Sequence, residues 1–306
     1  MTENSKSRES EKVILVTGSS GFVGKHLVPY LEGHGYTVRG LSRNPDRAGV
    51  FGWDPGRHSM DEAALQGVYG ILHLAGEGIA SGRWTEERKK RILDSRVDST
   101  RTLVEHIGRM ASPPRVLVSS SGVNYYESGS GLRDEQAPGG DSFLAGVCRQ
   151  WESEARKAVE FGVRTVQLRT GVVLDPSGGA LAKMLPVFKM GTGGPVGSGR
   201  QGFPWIGMED LVRIMEWSLR EDSVSGPVNA VHPDRVNQEA FSKALGKALN
   251  RPAVVPLPAF VVKATFGQMG RETLLADLNV VPGILQSHGF EFKYKNLAET
   301  LDKMLP

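Results

Sequence analysis

One cysteine, Cys148, is all the thiol chemistry that the 306 residues contain. An intramolecular disulfide framework is therefore excluded, and a reducing compartment fits. No apolar run approaches the roughly 20 residues that a membrane-spanning helix needs. The opening MTENSKSRES is polar and carries acids, unlike a signal peptide or a typical transit peptide; the expectation is a disordered tail on a cytoplasmic protein that does not enter a membrane. An excess of one charge is missing too, with 37 Lys and Arg against 34 Asp and Glu. So small a balance argues against a nucleic-acid partner, and the densest basic run, ERKKR at Glu87 to Arg91, is flanked by acids and reads as a solvated helix face. The seven histidines offer no pair at metal-ligand spacing and no triad with Ser121 and an acid, so no metal is expected.

What is present is a rhythm. Val13 to Thr17 (VILVT) is a wholly apolar run ending at Gly18, as expected of a strand buried on both faces of a parallel sheet. Similar runs follow at Thr37 to Leu41, Gly70 to Ala75, Val116 to Ser119, Val163 to Leu168 and Pro227 to Val231. Helical patterns separate them at Gly24 to Gly33, Thr85 to Met110 and Ser142 to Phe161, the last with Phe143, Val147, Trp151, Ala155 and Val159 on one face. Strands alternating with helices predict an α/β fold with a doubly wound parallel sheet of the Rossmann kind. After Gly171 the rhythm breaks. Asp175 to Gly202 is rich in glycine and reads as a binding loop; helices are predicted again at Asp210 to Arg220, Gln238 to Leu249 and Pro258 to Leu278, then a strand-like FEFKY (Phe290 to Tyr294) and a closing helix. The expected division is a nucleotide domain over 12–175, joined by the strand near 227–231, and a smaller C-terminal substrate or lid region over 176–306.

VTGSSGFVGKHL sets Gly18, Gly21 and Gly24 between a buried strand and a helix. There the first glycine allows a tight turn, the second lets backbone approach a pyrophosphate, and the third lets helix pack on strand, with the helix N-terminus facing the anion. Ser19, Ser20, Phe22 and Val23 complete the predicted dinucleotide turn. At the end of the second strand, where an acid commonly holds the ribose hydroxyls of NAD, stand Ser42 and Arg43. A guanidinium there suits a 2′-phosphate, so NADP(H) is expected over NAD(H). Trp53 and Asp54 are placed to bracket the adenine, or Trp53 is core. Leu74, Ala75, Gly76 and Glu77 end the fourth strand in mostly small residues that let backbone lie against a cofactor.

These stretches resemble the extended short-chain dehydrogenase/reductases of the NAD-dependent epimerase/dehydratase family. TGSSGFVG is similar to their glycine motif, LAGE to the segment after their fourth strand, VSSSGVNYY to their serine-to-tyrosine segment, and FPWIGMEDL to the approach to a late aspartate, here Asp210. GRWTEERKKRILDSRVDST, GGPVGSGRQGFPWI and the C-terminal stretch from Val254 onward, about 254–304, resemble an atypical subgroup known only as epimerase family proteins. The resemblance implies Ser119 and the backbone of Arg169, Thr170 and Gly171 beside the nicotinamide, and Ser121 as the oxygen-positioning serine. It also implies a homodimer through Thr85 to Met110 and Ser142 to Phe161, where relatives pair.

The family's tyrosine, with a lysine four residues on, is missing. None of the six tyrosines is followed at that distance by lysine; in FLAGVCRQWE the two places hold Leu144 and Cys148. Tyr125 and Tyr126 are the candidate replacements, and in an extended segment only one of them can face the nicotinamide. Arg200, Gln201 and Trp205 in the glycine-rich stretch, with Arg83 and Trp84 from the opposite wall, are candidates for a lid over a small substrate. Two functions remain open: an NADP-linked oxidoreductase or epimerase acting on a small carbonyl or carbinol, since hydride transfer needs chiefly cofactor and substrate in contact, and a non-catalytic NADP(H)-responsive regulator.

Overall fold

The computed structural model describes residues 12–45, 48–80 and 82–305; the tail expected at Met1 to Ser10 lies outside them. The first half is an alternation of short strands and helices: β1 (Val13–Thr17), α1 (Gly24–Gly33), β2 (Thr37–Ser42), β3 (Val50–Asp54), β4 (Ser59–Met60), β5 (Val68–His73), α2 (Glu86–Ile107) and β6 (Val116–Gly122). It continues through β7 (Gly129–Arg133), α3 (Phe143–Arg156), β8 (Arg164–Thr170), β9 (Val172–Leu174), α4 (Gly179–Lys189), β10 (Trp205–Gly207), α5 (Met208–Arg220) and β11 (Gly226–Ala230). The chain closes with α6 (Gln238–Ala248), α7 (Ala259–Glu272), β12 (Leu278–Val280), α8 (Gly283–Ser287) and α9 (Leu297–Met304). No described helix is long and apolar enough to cross a membrane.

Eight strands form the main sheet in the order β11-β8-β6-β5-β1-β2-β3-β4, parallel except for the antiparallel edge strand β4. Leaving β1, the chain builds first to one side (β2, β3) and then to the other (β5, β6, β8). The order reverses between β1 and β5, and the carboxyl ends of the strands open a crevice there. The period-2 geometry of β1 explains why its whole run is apolar. Ile14 and Val16 join Leu27, Leu31, Leu211 and Met215 of α1 and α5 on one face, while Leu15 joins Leu103, Ile107 and Ala155 of α2 and α3 on the other.

After β9 the chain leaves the sheet, returns as α5 and β11 to complete it, and leaves again. A separate core, with Leu181, Leu185, Phe188, Trp205, Phe241, Leu245 and Leu301, holds the C-terminal lobe. The stretch read as a loop contains α4, because Leu181, Leu185 and Phe188 form a buried helical stripe that its flanking glycines disguise. FEFKY is not a strand: Phe290 and Phe292 meet edge to face with 5.1 Å between ring centroids, and Phe290 meets Trp217 likewise. The predicted helix to Phe161 becomes a 3-10 turn after Arg156, leaving Val159 57% exposed. The helix predicted to Leu278 ends at Glu272 and kinks at Gly267 (φ 60°, ψ −131°).

Candidate cofactor and substrate site

At the crevice, Gly18 has φ 67°, a left-handed conformation that favours glycine. A β-carbon on Gly24 would lie 2.3 Å from the Gly18 carbonyl oxygen, so helix and strand meet more closely than any side chain permits. Thr85, Ser142, Asn237 and Asn296 cap their helices by accepting backbone N–H bonds, but α1 has no side-chain cap and no acid in its first turn. The backbone N–H groups of Phe22 and Val23 have no acceptor among the described residues. Ser19 is buried while Ser20 and Gly21 face solvent. Open N–H groups at the positive end of a helix can receive an anion. From above, the Phe22 ring packs on Gly178 and Gly179.

At the end of β2, Ser42 turns back to Asn44. Arg43 is exposed and makes no ion pair or hydrogen bond among the described residues. Asp54 accepts from the Gly56 N–H and caps a short turn, and Trp53 belongs to the core.

Under the end of β5 lies a buried frame. Thr17 Oγ1 accepts from the N–H groups of Leu74 and Ala75, so its own proton goes to His73 Nδ1 at 2.8 Å. Thr100 Oγ1, 2.9 Å from His73 Nε2, donates to the Arg96 carbonyl and must therefore accept from the ring. This donor count assigns one neutral tautomer to His73, and burial pushes its pKa down to about 3. Glu77 pairs with Arg88 and Arg91, so Arg88 is tied inward rather than solvated with its neighbours in ERKKR. Trp84 donates from Nε1 to the Ile79 carbonyl and meets Phe143 edge to face. The exposed Arg83 reaches the kink at Gly267, and Lys183 of α4 bridges to the Ala80 carbonyl.

The wall between β6 and α3 is different. Ser121 donates to Glu152 at 2.7 Å, and Glu152 receives Arg169 through Nε and Nη2, both at 2.9 Å. Arg169 Nη1 donates to the Tyr126 hydroxyl, which donates in turn to Asn229 at 2.7 Å. Burial, only partly offset by Arg169, pushes the Tyr126 phenol up to about 12. Its hydroxyl is used at both ends, so Tyr126 is a structural strut rather than a proton donor. The expectation of an extended segment with the two tyrosines on opposite sides fails because residues 123–125 form a 3-10 turn, and the two rings meet edge to face at 5.4 Å. Arg169 stacks 3.4 Å from the Tyr125 ring centroid, while the Tyr125 hydroxyl has no hydrogen-bond partner among the described residues. Leu144 and Cys148 are buried; burial and then Glu152 push the thiol up to about 11, which leaves it unreactive. Ser119 donates to the Ser120 carbonyl and Thr170 to that of Leu168, and Gly171 lies against Pro204, where a β-carbon would come within 2.7 Å of its carbonyl oxygen.

The glycine-rich stretch is a packed strap rather than an open lid. Gly193 lies on Phe188 and Gly194 on Val255, and backbone bonds tie 193–197 to 255–257. Gln201 is buried and donates to the Val196 and Leu274 carbonyls. Trp205, 1% exposed, stacks on His232 and donates to the Asp234 carbonyl. Of that set only Arg200 is exposed.

Glu152, the side chain of Arg169, Asn229 and the Thr17–His73–Thr100 frame escaped sequence reasoning. Glu152 alone left a signal, as a carboxylate beside an apolar helical stripe.

Residues 14–231 match the model of the NAD dependent epimerase/dehydratase family, and residues 257–304 match a domain of unknown function, DUF1731. An epimerase family protein of Mycobacterium tuberculosis is 36% identical over 291 residues, covering 94% of this chain and 96% of that one. The epimerase family protein SDR39U1 of Homo sapiens is 36% identical over 299 residues, covering 95% and 99%. The crystal structure of human SDR39U1 (isoform 2) with NADPH superposes with a TM-score of 0.88 at 35% identity, covering 96% of this chain and 99% of that one. A nucleoside-diphosphate sugar epimerase from Corynebacterium glutamicum gives 0.79 at 29% identity, covering 97% of this chain and 58% of that one. Sheet order, glycine turn and a match that runs from β1 through β11 agree: the chain belongs to the NAD dependent epimerase/dehydratase family.

Proposed function

We propose that this chain binds NADP(H) and acts as an oxidoreductase or epimerase on a small molecule carrying a carbonyl or carbinol. The observation that carries this reading is the turn from Gly18 to Gly24, closed to side chains and open in its N–H groups. Arg43, exposed and without a partner among the described residues, supports the phosphorylated cofactor, since a guanidinium matches phosphate oxygens in a way that a carboxylate cannot. A relative at 35% identity crystallised with NADPH supports it as well.

Gly18 to Gly24 would hold the pyrophosphate, Ser42 and Arg43 the 2′-phosphate, and Leu74 to Glu77 the backbone edge. Ser119, Thr170 and Gly171 line the nicotinamide side. The cofactor supplies the hydride. The chain's part is to position the reactants and exclude water, and Lys183 ties α4 to the Ala80 carbonyl beyond the end of β5. Ser121 spends its proton on Glu152 and offers a substrate oxygen no donor. Tyr125 keeps the one phenol of the pair that is free to donate. Without the tyrosine–lysine pair, turnover is expected to be slow, since acid–base assistance is worth roughly 10²–10⁴-fold.

Titration with NADPH and NADH tests the cofactor half of this reading. Arg43→Ala should weaken NADPH by about tenfold or more, as expected for one charge-assisted contact, and leave NADH unchanged; an unaltered NADPH preference would remove Arg43 from the site. Oxidation of NADPH against a panel of small carbonyl compounds tests the chemistry. A second reading, a cofactor-responsive regulator without turnover, is favoured by the consumption of Ser121 and Tyr126 within the protein. Tight NADPH binding with no oxidation on any compound of the panel would select it.

A further inference from the structure

The position that should carry a cation beside the nicotinamide holds Cys148, a buried thiol. A cation stands next to it all the same, supplied by another helix. Arg96, on α2, lies with its guanidinium carbon 5.1 Å from the ring centroid of Trp151, three residues after Cys148 on α3. Cys148 and Arg96 are close enough to act on each other electrostatically.

Arg96 is also pressed against the crevice floor. A β-carbon on Gly76 would lie 3.2 Å from the guanidinium carbon and 3.4 Å from Nε. Any side chain at Gly76 would press on this guanidinium and make it shift by a few tenths of an ångström. Gly76 follows Leu74 and Ala75, which themselves touch Gly18 of the glycine turn. The guanidinium therefore sits on the β5–β6 side of the switch point, opposite Arg43, which marks the β2 side.

Its hydrogen bonding is conspicuously incomplete. Nη1 donates to the Ile92 carbonyl within the same helix. The other N–H groups find no acceptor among the described residues, and none of them is sealed from solvent. The other arginines of α2, and Arg169 of the adjoining wall, are committed: Arg88 and Arg91 to Glu77, Arg101 to Glu154, Arg169 to Glu152. A half-buried guanidinium with no acid within ion-pair distance among the described residues is costly unless something else accepts from it.

We infer that Arg96 binds the ribose phosphate on the nicotinamide side of NADP(H), supplying from α2 the cation that α3 has lost at Cys148. A flat fork of donors held on an indole face matches phosphate and hydroxyl oxygens in one plane. This inference rests on the NADP(H) reading above.

The test is calorimetric titration of the full chain with three ligands: NADPH, 2′-phospho-ADP-ribose, which lacks the nicotinamide ring, and 2′,5′-ADP, which lacks the whole nicotinamide side. Arg96→Met keeps an unbranched side chain on Trp151 and removes the donors. It should weaken NADPH and 2′-phospho-ADP-ribose by about ten- to a hundredfold, the range expected for a hydrogen bond to a charged group, and leave 2′,5′-ADP unchanged. Arg96→Lys, which keeps the charge, should fall between. The 2′,5′-ADP arm also reports that the variant is folded. Equal NADPH affinity in Arg96→Met and wild type would overturn the assignment. So would an equal loss for all three ligands, or a loss confined to NADPH, which would move the contact to the ring. Failure of the wild type to bind any of the three would instead remove the underlying NADP(H) reading.

Discussion

The glycine turn and the β6–α3 wall lie at the carboxyl end of the same sheet and treat their polar atoms in opposite ways. At the turn, the backbone N–H groups of Phe22 and Val23, and at the end of β2 Arg43, have no protein partner among the described residues. At the wall, five side chains from distant parts of the chain (Ser121, Glu152, Arg169, Tyr126, Asn229) satisfy one another in an unbroken series. Donors that the protein leaves unmatched at a crevice are free for water or a ligand, and a helix N-terminus and a guanidinium both favour an anion. Satisfied ones hold the crevice in shape. The two regions thus separate cofactor capture, which is open, from the usual seat of proton transfer, which has become scaffold.

Breaking the scaffold should have the largest effect. Glu152→Ala leaves the Arg169 charge buried without its carboxylate, which typically costs ~3–5 kcal/mol. Urea denaturation measures it; a loss below ~1 kcal/mol would mean that the wall does not depend on this pair.

A smaller effect belongs to the frame beneath the open end. His73 is neutral in the folded chain with its pKa lowered to about 3, below the unfolded value near ~6.5. As pH falls, the unfolded state takes the proton first. The contribution is complete above about pH 6.5 and is lost as pH falls toward about 3, at up to ~1.4 kcal/mol per unit. Between pH 6.5 and 5, before most carboxylates titrate, that amounts to ~2 kcal/mol. His73→Gln should flatten the stability profile in this window. A slope identical to wild type would sink the assignment of the neutral tautomer.

The open half was readable from the sequence and the closed half was not, for a physical reason. The turn is largely local: Gly21 and Gly24 are constrained by neighbours within a few residues and Gly18 by its own positive φ, and β1 advertises its double burial as VILVT. The wall is assembled from residues 121 to 229, and no spacing records which carboxylate meets which guanidinium. Arg169 was noticed for its backbone while its side chain does the holding. The α4 stripe was hidden because flanking glycines dominate the composition of Asp175 to Gly202. FEFKY misled because period-2 aromatics pack on Trp217 and His232 as readily as they enter a ladder.

The smallest expected effect is also the sharpest comparison, because it divides two adjacent tyrosines. Tyr126→Phe removes a hydroxyl that accepts from Arg169 and donates to Asn229, and leaving such groups unpaired costs ~1–3 kcal/mol. Tyr125→Phe removes a hydroxyl with no hydrogen-bond partner among the described residues and keeps the ring under Arg169, so stability should change by less than ~0.5 kcal/mol. Turnover should respond the other way. If any carbonyl compound is reduced, Tyr125→Phe should lower kcat, while Tyr126→Phe should leave kcat near wild type at a temperature where both variants are folded. Equal kcat in the two variants would mean that neither phenol serves as the acid and that the proton comes from solvent. A kcat loss confined to Tyr126→Phe would show that the closed network opens during turnover, and the division between open and closed halves would no longer hold.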